Sequence, residues 1–329
     1  MSPTRLPRFQ RSPANGRLEL TERDREILRQ VRRHRFLRSS HLVELLDGSR
    51  QTVLRRLQRL YHGGYLERPR AQLDYFSRGG SRTIVYGLGR KGAKLLKSEL
   101  EGSGHRPKWR GNNLDVGRLF LEHALFTADV MIALEIACRR ASNIRLLTGD
   151  DLSIPGREPG EDDPFRWDVR LNNRIKLGVI PDAVFALEVT TAGTTKTTRT
   201  IYFLEADRGT MPVVRNSLSR SSIHRKMTAY EATWSQGIHR TRFGFNRFRV
   251  LTVTSSRARL KTMLEACRTL ERGRGLFLFT DAEALRTSPN LLDMPWVSAP
   301  DDAPELLGDR ATKIPKMAQF LGNRGDLSA

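Results

Sequence analysis

The residues in this chain best suited to chemistry are three acids in two β-prone runs. The first run opens with Ile180-Pro181-Asp182, and the second reads Phe203-Leu204-Glu205-Ala206-Asp207-Arg208-Gly209-Thr210. Side chains alternate along a strand, so Glu205 and Asp207 are expected on one face. Between the runs, Thr190-Thr191-Ala192-Gly193-Thr194-Thr195 suits a hairpin turn. A hairpin folded there brings Asp182 beside Glu205, provided the register holds; a slip of one residue sends Asp182 to the other face. Carboxylates clustered on a sheet face are the oxygen donors with which many nucleases hold a divalent cation such as Mg2+. Like charges held that close persist only if a metal or neighbouring cations relieve them. Lys226 and Arg208 are the cations expected to do so internally.

The elements that must position these acids follow an α/β pattern. Residues 115–140 read as a long apolar helix, with His123 on its apolar side at helical spacing with Thr127, Val130 and Leu134. A histidine there is open to two readings, a satisfied core residue or a catalytic group. Glu135 is a second polar residue of this helix expected to face inward. The acidic, Pro- and Gly-rich stretch 150–168 reads as a loop. Strands are expected at 169–179, 183–190, 199–207, 247–254 and 276–279. Helices are expected at 219–236, with Ile223, Met227, Tyr230 and Trp234 as the stripe, and at 258–272. That order makes an α/β domain with a mixed sheet, spanning 114–283. Residues 284–329 lack periodicity and read as an irregular tail.

The other part of the chain is strongly basic. The whole sequence carries 57 Lys and Arg against 36 Asp and Glu, a net of +21. Residues 1–112 hold 26 basic against 10 acidic side chains, a net of +16, and the remainder only +5. Such a block is the footprint of a phosphate-binding surface. Arg dominates over Lys, which suits bidentate contact with phosphate or guanine.

Residues 1–20 read as a disordered basic arm. Thr21 then caps a helix carrying Ile27, Leu28 and Val31, and Ser39 or Ser40 caps a short second one. Ser49 caps a third, Arg50 to His62, which Gly63-Gly64 ends. Its apolar stripe is Val53, Leu54, Leu57 and Leu60; its other face shows Arg50, Gln51, Arg55, Arg56 and Arg59. Strands at 65–68 and 83–88 flank a polar loop containing Arg78 and Arg82. Three short helices followed by a β-hairpin form a winged helix-turn-helix, here 21–101. The third helix is expected in the major groove and the loop on backbone or minor groove. A polar linker, 102–113, leads to the α/β domain.

The run of 180–182, 203–210 and the helix after it resembles the PD-(D/E)XK nuclease core. In that superfamily an Asp and a Glu bind the metal, and a Lys two residues past the Glu orients the attacking water. Here that third position is Asp207. In some members the Lys has moved to the following helix, where this chain has Lys226. The resemblance therefore implies Asp182 and Glu205 as metal ligands with Lys226 assisting; Asp207 beside Glu205 is the candidate third ligand, and His123 joins Asp182, Glu205 and Lys226 as a catalytic candidate from its own place in the long helix. Lys226 reads equally as a surface residue or one paired with Asp207.

The full series of a basic winged helix, Glu122-His123-Ala124-Leu125, Ile180-Pro181-Asp182-Ala183, Leu204 to Thr210 and Lys226-Met227-Thr228-Ala229-Tyr230 resembles the replication-relaxation family of bacterial mobile elements. The resemblance covers roughly 20–280 and rests on the joint order of five motifs. It implies a DNA-binding accessory factor of plasmid replication or transfer, with double-stranded DNA, a replication or transfer protein and a second copy of the chain as partners. A Mg2+-dependent nuclease and a winged-helix transcriptional regulator are the competing readings. Composition narrows the setting: no apolar run approaches the roughly 20 residues a bilayer needs, and no secretory leader is evident. The chain reads as cytoplasmic. Its two cysteines, Cys138 and Cys267, sit in apolar helical patterns as buried thiols, which argues against a thiolate zinc site.

Overall fold

The computed structural model of the chain describes residues 8–12, 18–73, 83–100, 113–155, 164–191, 193–299 and 304–307. The loop expected as a wing, with Arg78 and Arg82, most of the expected linker, and 156–163 of the acidic stretch lie outside the described residues.

The N-terminal unit begins with α1, Glu22–His34. Thr21 and Asp24 form a reciprocal capping box there: the Asp24 carboxylate accepts from the Thr21 backbone N–H at 2.8 Å. Strand β1 is Phe36–Arg38, and α2 is Ser39–Leu45. The third helix, α3, is Arg50–His62, with the Ser49 hydroxyl accepting from Thr52 N–H. Strands β2 (Leu66–Glu67) and β3 (Val85–Leu88) follow, then α4 (Arg90–Leu100). The three strands form one antiparallel sheet in the order β1-β3-β2. Residues 8–12 are not a free arm: Arg11 pairs with Glu67 at 2.6 Å, and Ser12 N–H donates to His62 Nδ1.

Ile27, Leu28 and Val31 of α1 pack with Leu42 and Leu45 of α2 and Val53, Leu57 and Leu60 of α3. Ala128 and Ile132 join that cluster from α5, Arg118–Arg140. This long helix is apolar on two sides because it serves two cores. Val130, Met131 and Leu134 pack the opposite way, onto the large sheet.

That sheet is mixed and ordered β12-β11-β10-β9-β8-β7-β4. Its members are β4 (Ile144–Thr148), β7 (Ala183–Thr190), β8 (Thr197–Ala206), β9 (Phe248–Thr254), β10 (Phe277–Asp281), β11 (Trp296–Ser298) and β12 (Pro304–Glu305). Strands β8, β9 and β10 run parallel, and the others pair antiparallel. Strand β8 is buried continuously from Thr200 to Ala206, as a central strand covered on both faces must be. Phe185, Leu187, Tyr202 and Leu204 face α5. Ala186, Ile201 and Phe203 face α6 (Ile223–Ser235) and α8 (Arg257–Arg268). A short α7 (Ile238–Thr241) follows α6, and α9 (Ala282–Thr287) follows β10.

Three expectations change. Residues 169–179 are not one strand of the main sheet. They belong to a separate two-stranded hairpin, β5 (Trp167–Arg170) and β6 (Lys176–Val179), whose alternate residues Trp167, Val169, Leu177 and Val179 are buried against α6. The turn at 171–175 interrupts the run because Asn172 Oδ1 accepts from the N–H groups of Arg174 and Ile175. Trp234 is 40% exposed, so the α6 stripe ends at Tyr230. The sheet also continues past residue 283: β11 and β12 lie in the expected tail, and Trp296 is fully buried. Three residues are too few to display periodicity.

Candidate functional site

The helix α3 presents Gln51, Arg55 and Arg59 at intervals of four, all exposed, with Arg50 exposed at its first turn. None of these three arginines forms an ion pair among the described residues. An open row of guanidinium groups on a helix held rigidly from behind suits contact with phosphates or base edges. Arg56 is different. Its Nε donates to Asp24 Oδ1 at 2.7 Å, a second guanidinium nitrogen pairs with Asp24 Oδ2, and it also reaches Glu19 O at 3.2 Å. Asp24 is fully buried. Burial works to raise the Asp24 pKa, yet Arg56 and Thr21 hold the carboxyl below its usual range. Arg56 therefore joins α3 to α1 and is withdrawn from the exposed row, a correction to the sequence expectation.

The carboxylates meet at the end of the large sheet. The β7–β8 hairpin turns where expected, with Thr191 N–H donating to Lys196 O at 3.0 Å. Ala183 pairs with Leu204, so Asp182 falls opposite Glu205. Asp182 closes the ladder with its own N–H on Leu204 O at 2.9 Å, and its Oδ2 accepts from Ala206 N–H at 2.7 Å. Its Oδ1 lies 2.9 Å from His123 Nε2, which reaches over from α5. Glu205 is buried beneath α6. Its Oε2 lies 2.5 Å from Lys226 Nζ, and its Oε1 accepts from the Tyr230 hydroxyl at 2.6 Å.

Asp207 does not join them. Just past β8, it accepts from Arg259 Nε at 2.5 Å and from Thr254 Oγ1 at 2.6 Å, while Arg259 also holds its other oxygen at 2.9 Å. Lys226 pairs with Glu205, not Asp207. Arg208 leaves the cluster too, pairing with Glu122 and donating to Leu119 O at 3.0 Å.

All six carboxylate oxygens of Asp182, Glu205 and Asp207 thus have protein donors. Among the described residues no three His, Cys, Asp or Glu side chains are arranged to hold a metal ion. In this arrangement the donor set does not fit Mg2+.

Electrostatics follow from this pairing. Burial pushes the Glu205 carboxyl up to about 7, with Lys226 and Tyr230 holding it back and Asp182 adding to the rise. Burial opposes the charge on Lys226, but Glu205 and Asp182 outweigh it and its pKa is raised. The hydrogen bond to Asp182 raises His123 against the opposing effect of its burial. The cluster is a set of matched pairs, each acid with its own basic partner: Asp182 with His123, Glu205 with Lys226, Asp207 with Arg259.

Reasoning from sequence missed Arg259, Thr254 and the Arg208–Glu122 pair. Their partners lie 52, 47 and 86 residues away, and no local pattern marks them. It also missed the role of Glu135, buried on α5 and paired at 2.6 Å with Arg139 and at 3.8 Å with Arg33 and His34. Asp129, six residues earlier on the same helix, pairs with Arg38 and lies 2.8 Å from His41. These contacts fasten the N-terminal unit to α5. No helix among the described residues is long and apolar enough to cross a membrane.

A family model described as replication-relaxation matches residues 28–247, which takes in α3, α5, the β7–β8 hairpin and α6. No curated protein and no solved structure matches the chain.

Proposed function

The chain belongs to the replication-relaxation family, and on that premise we propose that it is a DNA-binding accessory protein of plasmid or mobile-element replication or transfer. The family itself points to replication or mobile-element processes. In this reading, α1 to β3 form a winged helix-turn-helix that docks duplex DNA, with α3 in the major groove. The observation that carries it is the exposed row Gln51, Arg55 and Arg59, with Arg50 beside it, whose arginines form no ion pair among the described residues. A solvated surface helix ordinarily mixes signs, as α1 does with Glu22 and Glu26 beside Arg25 and Arg29. The α3 helix carries four arginines and no acid.

The α/β unit serves as scaffold and second surface. Metal-dependent cleavage is not part of the proposal, because Asp182 and Glu205 are each closed by protein donors.

The test is duplex affinity as a function of salt. Wild type should bind with a steep negative slope, since each phosphate neutralised contributes roughly 0.9 to the slope of log K against log salt. Arg55→Glu with Arg59→Glu should lower affinity at least tenfold and flatten the slope while leaving the unfolding midpoint unchanged. Unaltered binding by a folded double variant would falsify α3 as the docking surface.

A further inference from the structure

The β5–β6 hairpin is a second basic surface, and no role in holding the fold accounts for its outer face. Its inward residues Trp167, Val169, Leu177 and Val179 are buried. Its outward ones are Arg166, Asp168, Arg170, Lys176 and Gly178, and Arg174 is exposed at the turn. Arg170 stands directly across from Lys176 in the ladder. Like charges opposite one another destabilise an antiparallel pair. Among the described residues Asp168 offsets them, pairing with Lys176 at 2.9 Å. The half-buried Arg242 adds its guanidinium to the same edge, donating to Arg166 O at 3.2 Å.

The surface is rigid. Trp167 Nε1 donates to Thr233 Oγ1 at 2.9 Å, and Gln236 Nε2 donates to Arg170 O at 2.7 Å. The hairpin is therefore pinned along α6, and its basic side chains stand on a fixed ribbon instead of a mobile loop. Arg166 and Arg170, four residues apart, are spaced about 13 Å along the strand.

Its position gives it meaning. The hairpin packs with α6 and α8 on one face of the large sheet. The N-terminal unit docks on α5, which covers the other face. A sheet and a helix layer, each about 10 Å thick, separate the two basic surfaces.

We propose that the outer face of the β5–β6 hairpin, with Arg166, Arg170, Arg174 and Lys176, is a second duplex-DNA contact, so that one chain holds two DNA segments on opposite sides of its sheet. The occupant is assigned by charge complementarity: among the described residues Arg166, Arg170, Arg174 and Lys176 stand against Asp168 on one ribbon, which fits the phosphate backbone and carries no base-reading pattern. The acidic run Glu161-Asp162-Asp163, just before the hairpin in sequence, lies outside the described residues. The choice of DNA over another polyanion rests on the function proposed above.

The experiment is co-capture with the full chain at low salt. One duplex is immobilised, and a second, fluorescent duplex is offered in solution. Wild type should retain the fluorescent duplex. Arg170→Glu with Arg174→Glu should cut co-capture at least fivefold, while binding of the single immobilised duplex stays within about twofold. Arg170→Gln with Arg174→Gln, which adds no new charge, should show a smaller loss in the same direction.

Co-capture unchanged in both variants overturns the proposal, including the case in which two copies of the chain each hold one duplex by α3. Absence of co-capture by wild type overturns it as well. Arg55→Glu with Arg59→Glu is read alongside. If that variant keeps its primary binding, the α3 reading fails, and a loss confined to the hairpin variants still supports this one.

Discussion

Replacing Glu135 by Gln tests how the N-terminal unit is held. Glu135 sits on α5, its side chain 9% exposed, with Arg139 at 2.6 Å and Arg33 and His34 at 3.8 Å. Burial alone would raise its pKa. His34, Arg139 and Arg33 reverse that and hold it at about 2, against an ordinary 4.5. Burial lowers the pKa of His34 in turn.

The folded pKa lies below the unfolded one. The charge therefore adds stability above about pH 4.5, and that stability is lost as pH falls toward 2. A difference of two and a half pH units corresponds to about 3 kcal/mol. Glu135→Gln has no proton to take up, so it should be about 3 kcal/mol less stable than wild type at pH 6. The gap should shrink to about 1 kcal/mol at pH 2.5. Urea unfolding followed by circular dichroism at the two pH values measures this. Because other carboxylates titrate in both proteins, the quantity compared is the difference between them. A difference that does not change with pH, or a variant as stable as wild type at pH 6, refutes the reasoning.

Other outcomes follow from the same pairings. Arg56→Ala strips the cation from buried Asp24 and should cost about 2–4 kcal/mol in urea unfolding; duplex affinity per folded molecule should change less than threefold. Asp182→Ala and wild type should both fail to nick supercoiled plasmid with Mg2+ or Mn2+, and robust wild-type cleavage lost in the variant would instead establish the nuclease reading. Glu205 titrates in the fold near 7, above its unfolded value, so its contribution is fully present below about pH 4.5 and is lost as pH rises through 7. His123, raised by Asp182, contributes with the same sign as pH passes its own raised value. Glu205→Gln should therefore reduce the fall in melting temperature between pH 5 and pH 8 relative to wild type, the two proteins being compared at each pH.

What could be read in the sequence was local. Ser49 and Gly63-Gly64 bound α3 because caps and stops act within one turn of the residues they govern. The β7–β8 register follows from alternation and a short turn, which together put Asp182 opposite Glu205. The pairing of charges was not local. Arg56 and Asp24 lie 32 residues apart, and Asp207 and Arg259 lie 52 apart. On a helical wheel Arg56 looks like one more basic side chain beside Arg55 and Arg59. Only the packing of α1 against α3 distinguishes it, by burying Asp24 in its path. The strand alternation that put Asp207 with Glu205 failed for a related reason. Strand β8 ends at Ala206, and Asp207 bonds its N–H to Val253 O and turns its carboxylate toward α8.

The acids at the sheet end can then be understood without catalysis. A buried carboxylate costs several kcal/mol unless it is paired, and losing one partner leaves the whole penalty exposed. Here each acid takes its basic partner from a different helix: His123 from α5, Lys226 from α6, Arg259 from α8. The β7–β8 end therefore fixes three helices by pairs that are costly to break. Two of those helices matter beyond the core, since α5 carries the N-terminal unit and α6 carries the β5–β6 hairpin. A sheet end that locks α5 and α6 together sets the distance and angle between the two proposed DNA surfaces. Under that logic a metal site is not needed to explain the acids; their geometry is already accounted for by the pairs that hold α5, α6 and α8 at the sheet end.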